Sequence, residues 1–353
     1  MKAACFSDVH KVIFQELPDP FLQSDTDALI EVSVAGLCGS DLHPYFGRET
    51  GIDPGTAMGH EFAGRVAAVG SEVSQFRIGD RVCVPFTTNC GKCPFCLTGL
   101  TARCVQGQLF GWREKGQGLH GGQATKVRVP LADSTLFKIP DAMDDETAIL
   151  LGDNLSTAFY ATELAQIDQL VSTNSDHSVA IIGCGTVGLL AIQWAKSKSV
   201  NNIIAVEPNP YRRELAQHLG AITAANTPDF ISLAREASSG LGVNAVMEFV
   251  GLPEAQRTAY QIVRPGGDLA TIGCHCSPHF AFSPSEAYDK NLSYRSGRCS
   301  ARHYMETVHK RSSDLKMDLS WCVTHRFPLS DATRAYETFA HRKDNCVKAV
   351  FCI

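Results

Sequence analysis

Four cysteines in one short segment constrain this chain more than anything else in it. Cys90, Cys93, Cys96 and Cys104 follow the pattern C-x2-C-x2-C-x7-C. Four thiolates this close can close a tetrahedral cage on a divalent ion, as in structural zinc sites with no open ligand position. Gly91, Pro94 and Gly99 let the backbone turn tightly enough to do it. Four cysteines also suit an iron–sulfur cluster, and chance proximity or disulfide pairing are the remaining alternatives. Two C-x2-C steps with a fourth cysteine favour zinc.

The 353 residues suffice for two domains, each with its own core. A formal net charge of −5 argues against a nucleic-acid surface. No apolar run is long enough to span a membrane. The start, Met1 to Asp8, lacks the apolar stretch of a signal peptide. Fourteen cysteines without such a leader point to a reducing, cytoplasmic setting and to thiolate ligands rather than disulfides. Cysteines outside the cluster, such as Cys184, Cys274 and Cys276, read as small buried apolar residues.

From Asp27 to about Val84 the chain alternates apolar and polar residues, broken by glycine and proline, as in a mostly β domain. Residues 28–34 and 62–69 read as strands, and Gly79-Asp80 as a turn. Two blocks stand out here: Gly36-Leu37-Cys38-Gly39-Ser40-Asp41-Leu42-His43, and Gly59-His60-Glu61-Phe62-Ala63-Gly64-Arg65-Val66. Further on, Ser178–Ile182 reads as a buried strand, followed by Gly183-Cys184-Gly185-Thr186-Val187-Gly188 and a helix over 189–196. In that context G-x-G-x-x-G marks a dinucleotide fold. Gly183 permits the turn, Gly185 admits the pyrophosphate, and Gly188 lets helix pack on strand. A second strand, 202–206, ends at Glu207, the acidic position that takes the ribose hydroxyls and repels a 2′-phosphate. Glu207 therefore favours NAD over NADP, with Arg212 and Arg213 as counter-evidence. Further βα units, with strands read over 244–250 and 267–273, make residues 157–297 a doubly wound parallel sheet, and the strand over 348–353 returns to the first domain, residues 1–156 and 298–353.

Together these motifs resemble the zinc-dependent medium-chain alcohol dehydrogenases, in register over nearly the whole chain. The resemblance implies an α/β protein with a GroES-like β-rich catalytic domain and a Rossmann coenzyme domain. It implies two zinc ions per chain, NAD, and a homo-oligomer, either dimer or tetramer. Cys38 and His60 match two ligands of a catalytic zinc. The third falls on Asp153, as in bacterial secondary-alcohol dehydrogenases, where other relatives use cysteine. Glu61 is the rival or transient ligand, and Asp153 as a plain helix cap is the alternative. Asp41 is implied as the carboxylate that orients His60. Ser40 and His43 are implied as the proton relay, with His43 releasing the proton to solvent. Thr186, Val187, Arg212, Val250, Ile272 and Cys274 fall at cofactor positions. Gly39 replaces a basic phosphate contact, which Lys348 is expected to supply. Phe86 and Trp112 fall at substrate-pocket positions, Trp112 being equally readable as core. The implied reaction is reversible hydride transfer between a primary or secondary alcohol and NAD. A polyol or formaldehyde-type dehydrogenase, an inactive nucleotide-binding sensor and a zinc-free quinone-type reductase are the other readings.

Overall fold

The computed structural model describes residues 1–173 and 177–353. The chain divides into two compact units: Met1–Ser156 with Cys299–Ile353, and Thr157–Arg298. Among the described residues, no helix is long and apolar enough to cross a membrane.

The first unit is built on a largely antiparallel sheet. Its strands run in the order Val323–Pro328, Lys348–Cys352, Ala28–Gly36, Phe62–Val69, Arg81–Cys83 and Phe137–Lys138, with Lys126–Val129 also on Ala28–Gly36. The central pair, Ala28–Gly36 with Phe62–Val69, is antiparallel with two register shifts. Alternation along these strands sends Ile30, Val32, Phe62 and Val66 into one core with Val82 and Phe110. Phe62 and Phe110 meet edge to face, 5.1 Å between centroids. Another core holds Leu37, Tyr45 and Met58 with Tyr336, Phe339 and Phe351 from the returning C-terminal segment. That segment joins the sheet because Lys348–Cys352 pairs with Ala28–Gly36, Val350 opposite Gly36.

The second unit holds a parallel sheet in the order Ile222–Ala224, Asn202–Val206, Ser178–Ile182, Val243–Glu248, Val263–Thr271, Ser293–Ser296. Numbered along the chain this is 3-2-1-4-5-6, the doubly wound dinucleotide-binding order. Ser178–Ile182 and Val243–Glu248 are buried throughout, as strands covered on both faces must be.

Three local expectations shift. The helix after the glycine run is Thr186–Ser197, starting earlier than residue 189 because Gly185 already has the extended backbone of an N-cap. The strand expected to reach Val250 stops at Glu248, whose carboxylate turns back to accept from the N–H groups of Val250 (2.6 Å) and Gly251 (2.8 Å). Cys184 is buried, but Cys274 and Cys276 are exposed, since the chain has left the sheet at Thr271.

Trp194, 1 % exposed, packs edge-on against Phe159 with centroids 5.0 Å apart. Trp194→Ala should cost about 3–5 kcal/mol through the cavity it leaves. Hydrogen exchange along Ser178–Ile182 measures this; unchanged protection would remove Trp194 from the core of this unit.

Candidate active site

Three neighbouring strands bring the first cluster together. Cys38 lies just beyond Ala28–Gly36, His60 and Glu61 just before Phe62–Val69, and Lys348 opens Lys348–Cys352. Backbone bonds pin the crossing: Gly36 N–H donates to Glu61 O (2.8 Å) and Leu37 N–H to Ala349 O (3.0 Å). Asp153 arrives from elsewhere, at the C-terminal end of helix Asp145–Gly152. Gly152 makes that approach possible, since a side chain there would fall on the Val84 carbonyl.

One donor atom each from Cys38, His60, Glu61 and Asp153 lie within 4.8 Å of one another. Asp153 Oδ2 is 3.3 Å from Cys38 Sγ and 3.4 Å from His60 Nε2. Zinc bonds of about 2.0–2.3 Å set tetrahedral edges of roughly 3.3–3.8 Å, so these three donors fit one ion. On the other side of the ring, His60 Nδ1 is 3.2 Å from Asp41 Oδ1. Asp41 is itself held by Cys38 N–H (2.9 Å) and Gln123 Nε2 (3.2 Å), and Tyr336 OH donates to Gln123 Oε1 at 2.8 Å. A carboxylate on the outer nitrogen fixes the tautomer that presents Nε2 to a metal. Ser40 Oγ stands 3.3 Å from Nε2, and Phe86 meets the ring edge-on at 6.3 Å.

The donors' proton affinities tell the same story. Burial, with the charges of Asp153 and Glu61, pushes the Cys38 thiol up to about 12. Burial also works against a charged His60, but Asp41, Asp153 and Cys38 outweigh it and hold the imidazole well above its usual range. Burial raises Asp153 too, yet its hydrogen bond and attraction to His60 bring it below the usual carboxylate range. A divalent cation among these donors would supply the positive charge that the buried thiol and carboxylates lack.

The structure corrects the reading of Lys348. Its Nζ is an ion-pair partner of Glu61 Oε2, and the side chain is 1 % exposed. A buried ammonium needs a paired carboxylate, so Lys348 is committed here rather than to a pyrophosphate. Glu61 Oε1 is taken by Asn154 Nδ2 at 2.9 Å. Trp112 packs against the core that holds Leu37, Tyr45 and Met58. Gly39 is exposed, with open space where a side chain would begin. His43 is 7 % exposed, so its ring does not itself open widely to solvent; burial and the Arg48 charge hold it below its usual pKa.

The second cluster is the cysteine segment. Cys90, Cys93, Cys96 and Cys104 bring their sulfurs within 4.8 Å of one another. Cys93 and Cys104 are 4.0 Å apart, near the roughly 3.8 Å edge that zinc–sulfur bonds of about 2.3 Å set. Backbone N–H groups of Cys96 and Val105 bring Cys93 down to about 6. Burial, with Cys93 and Cys104 as neighbours, pushes Cys96 up to about 12. Four thiols so placed ionise together only around a cation.

In the second unit Gly183 has φ +90°, and a side chain on Gly188 would fall on the Gly183 carbonyl. Gly185 by contrast faces open space, with Arg212 Nη1 4.0 Å from where its Cβ would stand. The N-terminus of Thr186–Ser197 and a cationic side chain therefore flank a vacant approach, as a pyrophosphate requires. Glu207 Oε2 accepts from Cys184 N–H (3.0 Å) and Oε1 from Asn209 N–H (2.9 Å), which anchors the carboxylate beside the glycine run. Arg213 Nη1 is turned to the carbonyls of Glu207 and Pro208. Val250, Ile272 and Cys274 share one end of the sheet, where Ile272 N–H donates to Glu248 O (2.8 Å).

Asn154, Gln123 and Tyr336 escape sequence reasoning. Asn154 had a signal, a second polar residue beside Asp153 within an apolar run. Gln123 and Tyr336 had none, being joined only by a contact across 213 positions.

Residues 24–141 match the family model described as alcohol dehydrogenase GroES-like domain, and residues 186–314 the one described as zinc-binding dehydrogenase. The chain is 36% identical over 345 residues to zinc-type alcohol dehydrogenase B of Aspergillus flavus, covering 96% of this chain and 78% of that one. It is 40% identical over 292 residues to medium chain reductase/dehydrogenase ucsI of Acremonium sp, covering 82% and 98%. The structure of alcohol dehydrogenase TADH from Thermus sp. ATN1 superposes with a TM-score of 0.90 at 34% identity, covering 100% of this chain and 99% of the other.

Cys96→Ala should release zinc from the cysteine segment and lower thermal stability, because structural zinc binding is coupled to folding. Metal analysis with a melting curve measures both; a variant with full zinc content and unchanged stability would show that Cys96 is no ligand.

Proposed function

Because the chain belongs to the zinc-dependent medium-chain alcohol dehydrogenase family of oxidoreductases, we propose that it moves hydride reversibly between a primary or secondary alcohol and NAD, giving an aldehyde or ketone. The observation that carries this reading is the donor set of Cys38, His60 and Asp153 with Ser40 Oγ against His60 Nε2. Two anionic donors and a neutral imidazole balance a divalent ion and leave one position open. Bound there, zinc supplies the Lewis acidity that makes an alcohol hydroxyl easier to deprotonate. The side chains do the rest. Asp41 holds His60 in one tautomer. Ser40 sits where it takes a proton from the substrate hydroxyl while passing on its own. His43 receives that proton as a neutral imidazole. Phe86 bounds the site on the His60 side and favours a small or flat substrate. Gly183, Gly185 and Gly188 with the N-terminus of Thr186–Ser197 cradle the pyrophosphate, and Thr186 and Val187 open that helix. Glu207 takes the adenosine ribose, and its charge disfavours a 2′-phosphate. Val250, Ile272 and Cys274 bound the nicotinamide.

Absorbance of NADH across a panel of primary, secondary and polyhydric alcohols tests the reading. Zinc-replete protein that reduces NAD with none of them would sink it. In the same assay Glu207→Ala should lower kcat/KM for both cofactors, since Cys184 and Asn209 lose an acceptor, but should raise the NADP-to-NAD ratio. A wild-type preference for NADP would reverse the cofactor assignment.

The pH profile follows from His43. Burial and Arg48 hold its pKa below 6.5, so the ring is neutral above that pKa and accepts protons. kcat/KM for alcohol oxidation should therefore fall as pH drops through a value below 6.5. Arg48→Met removes the neighbouring positive charge and should move that acid limb to higher pH. An unmoved limb would take His43 out of the proton path.

A further inference from the structure

Two carboxylates compete for one place beside Cys38 and His60, and a single amide touches both. Asn154 is 1 % exposed and follows Asp153 directly. Its Nδ2 donates to Glu61 Oε1 at 2.9 Å and to Asp153 Oδ2 at 3.3 Å. Its Oδ1 is buried without a hydrogen-bond partner among the described residues. The amide has one workable orientation, since the reverse would set its carbonyl against two carboxylates. Glu61 is thus occupied at both oxygens, by Asn154 on one and by Lys348 Nζ on the other. Asp153 instead turns Oδ2 toward Cys38 Sγ and His60 Nε2.

We infer that Asn154 is a positioning residue that selects the ligand set, holding Glu61 back from the metal while Asp153 faces it, with Lys348 as the second hold. The inference rests on the reading that Cys38, His60 and Asp153 bind the catalytic ion. A hydrogen bond to a charged oxygen is about twice as strong as a neutral one. When Asn154 cannot donate, Glu61 Oε1 loses that bond, and Lys348 on Oε2 is left to hold the carboxylate against the attraction of the metal. Glu61 then takes the position left open for substrate. The partnerless Oδ1 matters for the test: an apolar replacement breaks no fixed protein contact on that side.

The test uses the full chain with cobalt(II) in both metal sites and azide as the probe. Azide enters an open ligand position and shifts the visible cobalt absorption, while the closed four-cysteine site stays silent. In the wild type the shift should saturate. In Asn154→Leu the azide Kd should rise about ten-fold, the scale on which residues behind metal ligands act. The double variant Asn154→Leu/Glu61→Gln should regain the wild-type Kd. An Asn154→Leu protein that binds azide like the wild type overturns the inference. So does a double variant that fails to regain affinity, which would assign Asn154 to packing alone. If circular dichroism shows that Asn154→Leu does not fold, Asn154→Ser carries the same expectations. Asp153→Asn tests the underlying reading separately. It should lose the azide-responsive cobalt and keep the other, whereas retention of both with a normal azide shift would reject Asp153 as a ligand whatever Asn154 does.

Discussion

Buried negative charge is what the first unit is organised around. Cys38, Asp41, Glu61 and Asp153 crowd one imidazole, and Glu61 and Asp153 are almost wholly out of water. Isolated carboxylates there would be very unfavourable. Lys348 neutralises Glu61, and removing one partner of such a buried pair typically costs about 3–5 kcal/mol. Asp41 is satisfied by the Cys38 N–H, Gln123 and His60. What remains, one thiol and one carboxylate facing His60, is a deficit of positive charge of the kind a divalent cation can neutralise. The strand crossings, the docked helix end at Asp153 and the returning C-terminal strand all serve to hold that deficit in place.

The two candidate metal clusters gather their donors in different ways. The cysteine segment takes all four donors from one stretch of chain, so local turns suffice to gather them. Closed by four equivalent thiols, such a site has no position for a reactant. The other cluster takes its donors from three separated segments, and its donors are unlike one another. That mixture leaves a position open, and it demands orienting partners. Asp41 orients His60 from its outer nitrogen, while Asn154 and Lys348 occupy the two oxygens of Glu61.

In the second unit, function follows from the sheet order. Reversal of strand order at Ser178–Ile182 places the glycine run, Glu207 and the ends of Val243–Glu248 and Val263–Thr271 at the carboxyl edge of one parallel sheet. Glu248 plays a structural part that its sequence position does not announce. It ends its strand by accepting from the N–H groups of Val250 and Gly251 and binds His275 Nε2 at 2.8 Å, so it fixes the loops carrying Val250 and Cys274.

Much was legible in the sequence where the determinant is local. Ser178–Ile182, Asn202–Val206 and Phe62–Val69 coincide with the strands read from pattern, because burial periodicity is written residue by residue. The cysteine spacing and the strand–glycine–helix run were equally plain, since each is one uninterrupted segment. Other assignments needed the folded chain. Lys348 looked free for a phosphate until Lys348–Cys352 paired beside Ala28–Gly36 and set it against Glu61. Asn154 acquired a role only when Asp153 and Glu61, 92 positions apart in the chain (153 − 61), came within reach of one amide. The sequence by itself determined which chemical groups the protein owns and which local turns and strands present them. Only the tertiary structure decided which of two carboxylates turns toward Cys38 and His60, because Glu61 has both oxygens occupied by Asn154 and Lys348, which come from distant parts of the chain.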